Sequence, residues 1–117
     1  MVVWRMFRPM PTPMFGYTGH GVAHMNLTLY SSQGSGNSYK VELLLRLLRQ
    51  PYQTRPVDLR RNEQLGIEFL ARNRFGQVPV LDDGGTILFD SNAILVYLAS
   101  TYDADRRWLP RDTKQQA

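Results

Sequence analysis

Between Met25 and Pro110 the apolar positions follow two rhythms, one of strands and one of helices. LTLY (Leu27 to Tyr30) is a short apolar run that predicts a strand. A loop with two glycines, SSQGSGN, leads into SYKVELLLRLLRQP, where Val41, Leu44, Leu45 and Leu48 keep the i, i+3, i+4, i+7 spacing of a helix face. Glu42 early and Arg46 and Arg49 late suit the helix dipole, and Pro51 is expected to stop the helix. YQTRPVDL predicts a second strand, whose Pro56 marks it as an edge strand because proline has no N–H for a ladder. A looser helical segment follows from Glu63 to Arg72. VPVLDDGGTILF predicts a hairpin turning at Asp83-Gly84-Gly85. SNAILVYLASTY predicts a last helix, with Ile94, Leu95 and Leu98 on one face and Ser91 as its N-cap.

The resulting order, β-α-β-α-β-β-α, is that of an α/β (α+β) domain. Strands joined through a helix should be parallel with a right-handed crossover, and the hairpin adds an antiparallel pair. Within the third strand Pro79 stands between Val78 and Val80, where a central strand should not tolerate it. Either it is an ordinary edge-strand proline or it serves another purpose.

Residues 1–25 do not share this pattern. Pro9, Pro11 and Pro13 break any helix and Gly16, Gly19 and Gly21 loosen the remainder, so the segment reads as a leader outside the fold. Its apolar run is too interrupted for a secretory core. His20 and His24 lack carboxylate or cysteine partners beside them and are not read as metal ligands.

Charge and composition narrow the function. The net charge is +4, but Arg5 and Arg8 lie in the leader and the remaining 12 basic residues are interleaved with 10 acidic ones. Nucleic-acid binding needs clustered cations, so no nucleic-acid partner is expected. No stretch is long and apolar enough to span a membrane. The absence of cysteine excludes disulfides and a Cys-x-x-Cys redox centre, and is compatible with a reducing cytoplasm.

LYSSQGSGNSYKVELLL, FGQVPVL, FDSNAILVYL and the closing RRWLP occur in one order across residues 26–110. In these motifs the chain resembles the thioredoxin-like N-terminal domain of glutathione transferases, and SGNSYKV is most similar to bacterial members, with some likeness to the zeta, theta and nu classes. The resemblance implies a βαβαββα fold, a four-stranded mixed sheet with helices on both faces. It implies that Pro79 is a cis-proline, leaving the Val78 backbone free for a tripeptide to add as a short strand. It likewise implies glutathione as co-substrate, no metal, and a small electrophile or disulfide as the other partner, in a cytoplasmic, homodimeric detoxification enzyme.

By the same resemblance Gln77, Val78, Pro79, Asp90 and Ser91 form the glutathione-binding set. Asp-Ser before a helix is also ordinary capping chemistry. Yet free N–H groups at a helix start suit an anion and a carboxylate suits an ammonium, together an amino-acid zwitterion. A thiol with a pKa of about 8.5 is mostly protonated at neutral pH, and the thiolate is the nucleophile. Lowering that pKa by about two units takes about 2.7 kcal/mol. The catalytic donor is assigned first to Ser35, which falls on a family serine, and second to Asn37, because Gly36 interrupts the usual serine pattern. Ser31, Ser32 and Ser38 share that loop with turn and cap roles equally open, and Tyr30 reads as core.

Glutathione transferases carry a second, helical domain. Residues 111–117 are read as the start of the linker toward it, which makes the chain a fragment, a truncated product or a stand-alone domain. Two functions follow: a domain that activates glutathione for transfer, or a non-catalytic dimerisation and docking module of the same fold.

Overall fold

The computed structural model describes residues 26–110, 112 and 114. The expected leader 1–25, with His20 and His24, and most of the linker 111–117 lie outside the described residues. Strands β1 (Leu27–Ser31), β2 (Gln53–Pro56), β3 (Val80–Asp83) and β4 (Thr86–Phe89) form one sheet in the order β2-β1-β3-β4. β1 runs parallel to β2, while the β1–β3 and β3–β4 pairs are antiparallel. β2 is an edge strand, so Pro56 needs no second ladder partner.

β1 is buried along its whole length because both of its faces are covered. Leu27 and Leu29 pack with Leu81 against α1 (Gly36–Leu47) and α3 (Ser91–Tyr102), through Val41, Leu44, Leu45, Ile94 and Leu98. Each such side chain contributes about 1.5–3 kcal/mol by leaving water. On the other face Tyr30 and Val80 meet Val57 and Phe69, the latter on the short helix α2 (Ile67–Arg72). The buried Arg72 lies with its guanidinium 4.6 Å from the Tyr30 ring centroid. Burial pushes the Tyr30 hydroxyl above its ordinary pKa, partly offset by Arg72 and Arg55.

Local chemistry departs from expectation at three helix or strand ends. α1 ends at Leu47, ahead of the stop expected at Pro51: Arg49 adopts a left-handed φ of 54°, and Gln50 N–H donates to the Leu45 carbonyl at 3.0 Å, satisfying the helix end. The N-cap of α3 is Asp90 rather than Ser91: the Asp90 carboxylate accepts from Asn92 N–H, and Ser91 becomes the first helical residue. β3 begins at Val80, so Pro79 stands before the ladder and not inside it. The β3–β4 turn is Gly84-Gly85, both with positive φ (61° and 105°), as a two-residue hairpin between right-twisted strands requires.

Candidate functional site

Strand register brings three segments together. Tyr30 lies opposite Val80, and Val80 lies opposite Phe89, so these residues form one row across three strands. Beyond that row, at the same end of the sheet, come the loop Ser32–Ser35, the dipeptide Val78–Pro79, and Asp90-Ser91. The Val78–Pro79 peptide bond is cis. Val78 precedes the paired register, and no backbone hydrogen bond among the described residues engages its N–H or C=O.

Ser35 is the N-cap of α1, with extended backbone and a hydroxyl oxygen that accepts from Ser38 N–H at 3.1 Å. Accepting leaves the hydroxyl proton available, since a serine carries one donor and two lone pairs. Gly36 and Asn37 follow as the first helical residues, whose N–H groups have no intrahelical acceptor. The Asn37 side chain is exposed.

Ser32, Gln33, Gly34 and Ser35 form one wall of an open cleft of about 910 Å³, with Pro56, Val57, Asp58, Leu59, Arg60 and Glu63 opposite. That second wall is tied down by its own caps. Asp58 Oδ1 accepts from Arg60 N–H at 3.0 Å and Arg61 N–H at 3.3 Å, and Glu63 Oε1 accepts from Asp58 N–H at 2.7 Å.

At the third segment Asp90 has a left-handed φ of 76° and its Oδ1 accepts from Asn92 N–H at 3.0 Å. Its carboxylate is exposed, whereas Ser91 is buried. Asn92 Oδ1 in turn accepts from Lys40 Nζ at 2.8 Å, joining the first turn of α3 to α1.

Comparison with known proteins identifies the family and the fold. The family described as "Glutathione S-transferase, N-terminal domain" matches residues 29–106. Glutathione S-transferase theta-2 of Mus musculus is 37% identical over 93 residues, covering 80% of this chain and 38% of that protein. The chain belongs to the glutathione S-transferase family. A zeta-class glutathione S-transferase of Euphorbia esula is 41% identical over 91 residues, covering 78% of this chain and 40% of that protein. A solved glutathione transferase homologue from Drosophila mojavensis, with bound glutathione, superposes with a TM-score of 0.76 at 35% identity, over 78% of this chain and 42% of that one. The chain thus spans well under half the length of these relatives. Its fold is the thioredoxin-like N-terminal domain of the transferases, with a mixed four-stranded sheet between helices.

Within this glutathione S-transferase domain the candidate residues are not equally placed. Ser35, Val78, Pro79, Asp90 and Ser91 flank one end of strands β1, β3 and β4. Gln77 is exposed, and its backbone rather than its side chain is held: the Gln77 carbonyl accepts from Asn73 Nδ2 at 2.8 Å. Asn73, 2% exposed, also accepts Phe75 N–H on Oδ1 at 3.0 Å. The Phe75 ring meets Phe89 edge-on at 5.9 Å, which anchors the same loop to the end of β4. Asn73 therefore shapes the approach to Val78, a role the sequence reading did not assign. Its signal was a polar residue directly after the last turn of α2 and four before Gln77. Among the described residues no cluster of three or more potential metal-ligating side chains occurs, and no helix is long and apolar enough to cross a membrane.

Proposed function

We propose that this chain binds glutathione and lowers the pKa of its thiol for attack on a small electrophile or disulfide. The observation that carries this reading is the Tyr30–Val80–Phe89 row, which sets the Ser35 hydroxyl, the Val78 backbone and the Asp90-Ser91 helix start at one end of the sheet. These are the three kinds of group a γ-glutamyl tripeptide with a thiol requires. The Val78 N–H and C=O pair with the cysteinyl residue as one added strand. Asp90 receives the α-ammonium, while the Ser91 N–H and hydroxyl receive the α-carboxylate at the start of α3. Gln77 approaches the same γ-glutamyl group, and Arg60 on the cleft wall faces the opposite, glycyl carboxylate. Ser35 donates its proton to the sulfur; the first turn of α1 adds its dipole, and Asn37 is the second candidate donor.

No metal enters this chemistry, because a hydrogen-bonded thiolate is already the nucleophile. In the whole protein the electrophile is held by further residues and the unit is a homodimer, located in the cytoplasm, where a glutathione-consuming detoxification enzyme meets reduced thiol. The test is titration calorimetry with glutathione, followed by turnover of a generic aromatic halide. Specific binding is expected, and Ser35→Ala should raise the bound thiol pKa by about one to two units while changing affinity much less. A folded chain that gives no heat with millimolar glutathione would overturn the reading and leave the docking-module alternative.

A further inference from the structure

Ser38 lies in the first turn of α1 with 1% of its surface exposed. A hydroxyl buried there without partners costs about 1–3 kcal/mol, and its surroundings explain why it is kept. Ser32 N–H donates to Ser38 Oγ at 3.3 Å. Ser38 N–H donates to Ser35 Oγ at 3.1 Å. Ser35 N–H donates to the Ser32 carbonyl at 3.1 Å. Three serines spaced i, i+3, i+6 thus close a ring, in which each residue gives one hydrogen bond and receives one.

The ring has a particular value at this position. Ser35 stands between Gly34, whose φ is 89°, and Gly36, and glycine neighbours leave a backbone free to sample many conformations. The ring removes that freedom from both sides. With one lone pair of Ser35 Oγ turned toward Ser38 N–H, its proton is confined to the remaining tetrahedral directions. An oxygen that accepts a hydrogen bond is also polarised into a better donor. Ser38, being buried, cannot touch the ligand; whatever it does for the reaction passes through Ser35.

We propose that Ser38 is a positioning residue for thiol activation, its buried hydroxyl closing the Ser32–Ser35–Ser38 ring and so aiming the Ser35 O–H at the sulfur of bound glutathione. This rests on the assignment of Ser35 as thiol donor. The experiment is an ultraviolet thiolate titration of the full chain saturated with glutathione, using the chain saturated with S-methylglutathione as the blank. That blank cancels the tyrosines and any introduced thiol. Ser38→Ala should raise the titration midpoint by about 0.5–1 unit, which is about three- to tenfold less thiolate at a fixed pH below the midpoint, with glutathione affinity changed less than about threefold. Ser38→Cys keeps the shape with a weak sulfur acceptor and should shift the midpoint in the same direction, so it carries the test if the alanine variant does not fold. A purely structural serine would lower thermal stability and leave the midpoint of the folded protein in place, which overturns the proposal. Ser35→Ala separates the two levels. If it moves the midpoint and both Ser38 variants do not, only the role of Ser38 falls; if it does not move the midpoint, the assignment of Ser35 falls and takes Ser38 with it.

Discussion

At the hairpin end of the sheet, acids and hydroxyls are engaged with one another. Asp83 Oδ2 accepts from the hydroxyls of both Tyr97 and Tyr102 at 2.6 Å, so one carboxylate pins the second half of α3 to the end of β3. Asp82 Oδ1 accepts from Gly85 N–H at 2.7 Å and closes the turn. At the opposite end the same residue types are only partly engaged. Asp90 holds Asn92 N–H with one oxygen, and its second oxygen has no partner among the described residues. Ser35 accepts one hydrogen bond and keeps its proton, while Val78 stands outside the ladder. A polar group whose partners are supplied by the chain stabilises the fold, whereas one left with spare capacity at an open edge is equipped to receive a ligand.

Substitutions at the two ends should therefore separate stability from binding. The largest effect is expected for Asp83→Ala, which removes the acceptor of two tyrosine hydroxyls; a hydrogen bond to a charged group contributes about 1.5–3 kcal/mol net, and because both tyrosines share one half-exposed oxygen, a loss of about 2–3 kcal/mol for the pair is expected in urea denaturation. Glutathione affinity and the bound thiol pKa should stay put in the folded variant. A tenfold affinity loss there would erase the distinction between the ends.

Asp90→Asn should do the reverse. Asparagine caps a helix about as well as aspartate, so stability changes by less than about 0.5 kcal/mol, but on the proposed binding mode the ammonium of glutathione would lose its counter-charge. An affinity loss of about tenfold, or about 1.4 kcal/mol, is expected by calorimetry. If Asp90→Asn destabilises the fold and binds glutathione normally, its carboxylate belongs to the structural set.

A pH scan sharpens the contrast from the hairpin side. Burial, reinforced by the hydrogen bond to Asp83, pushes the Tyr97 hydroxyl up to about 12, and the same causes raise Tyr102 further. Both protonated tyrosines are favoured by folding, so this stabilisation is fully present below the ordinary tyrosine pKa of about 10 and is lost as pH rises toward the folded values. Alkaline unfolding should steepen above pH of about 10, and the Tyr97→Phe/Tyr102→Phe pair should flatten that part of the profile. Unaltered steepness would mean that the Asp83 contacts contribute nothing to folding. The smallest effect is expected at the exposed Asn37: Asn37→Ala should move the bound thiol pKa by less than about 0.3 unit, and a larger shift than that of Ser35→Ala would exchange their roles.

Periodicity was sufficient for most elements, but the looser helical segment expected from Glu63 to Arg72 divides at the extended Gly66 into a 3-10 turn, Glu63–Leu65, and the helix α2, Ile67–Arg72. Val41, Leu44 and Leu45, or Ile94 and Leu98, can leave water together only on one face of a helix, and the LTLY and VPVL runs suit strands buried on both sides, so order, strand direction and sheet type were legible in the chain. Gly84-Gly85 was legible for a similar reason, since glycine tolerates the positive φ of the turn. The cap of α3 was misplaced by one residue because Asp90 and Ser91 are both good caps. The left-handed φ of Asp90 puts it outside the helix and leaves it as the cap. The end of α1 at Leu47 likewise goes with the left-handed turn at Arg49 and the reach of Gln50 back to Leu45, not with the proline beyond. Tertiary structure alone decided the rest: the Tyr30–Val80–Phe89 row, the convergence of Tyr97 and Tyr102 on Asp83, the hold of Asn73 on Gln77, and the ring through Ser38. Hydrophobic spacing is a local property of a few turns of chain, whereas a hydrogen bond between polar side chains depends on distance and angle to within tenths of an ångström, which exist only once the strands have aligned and the helices have packed.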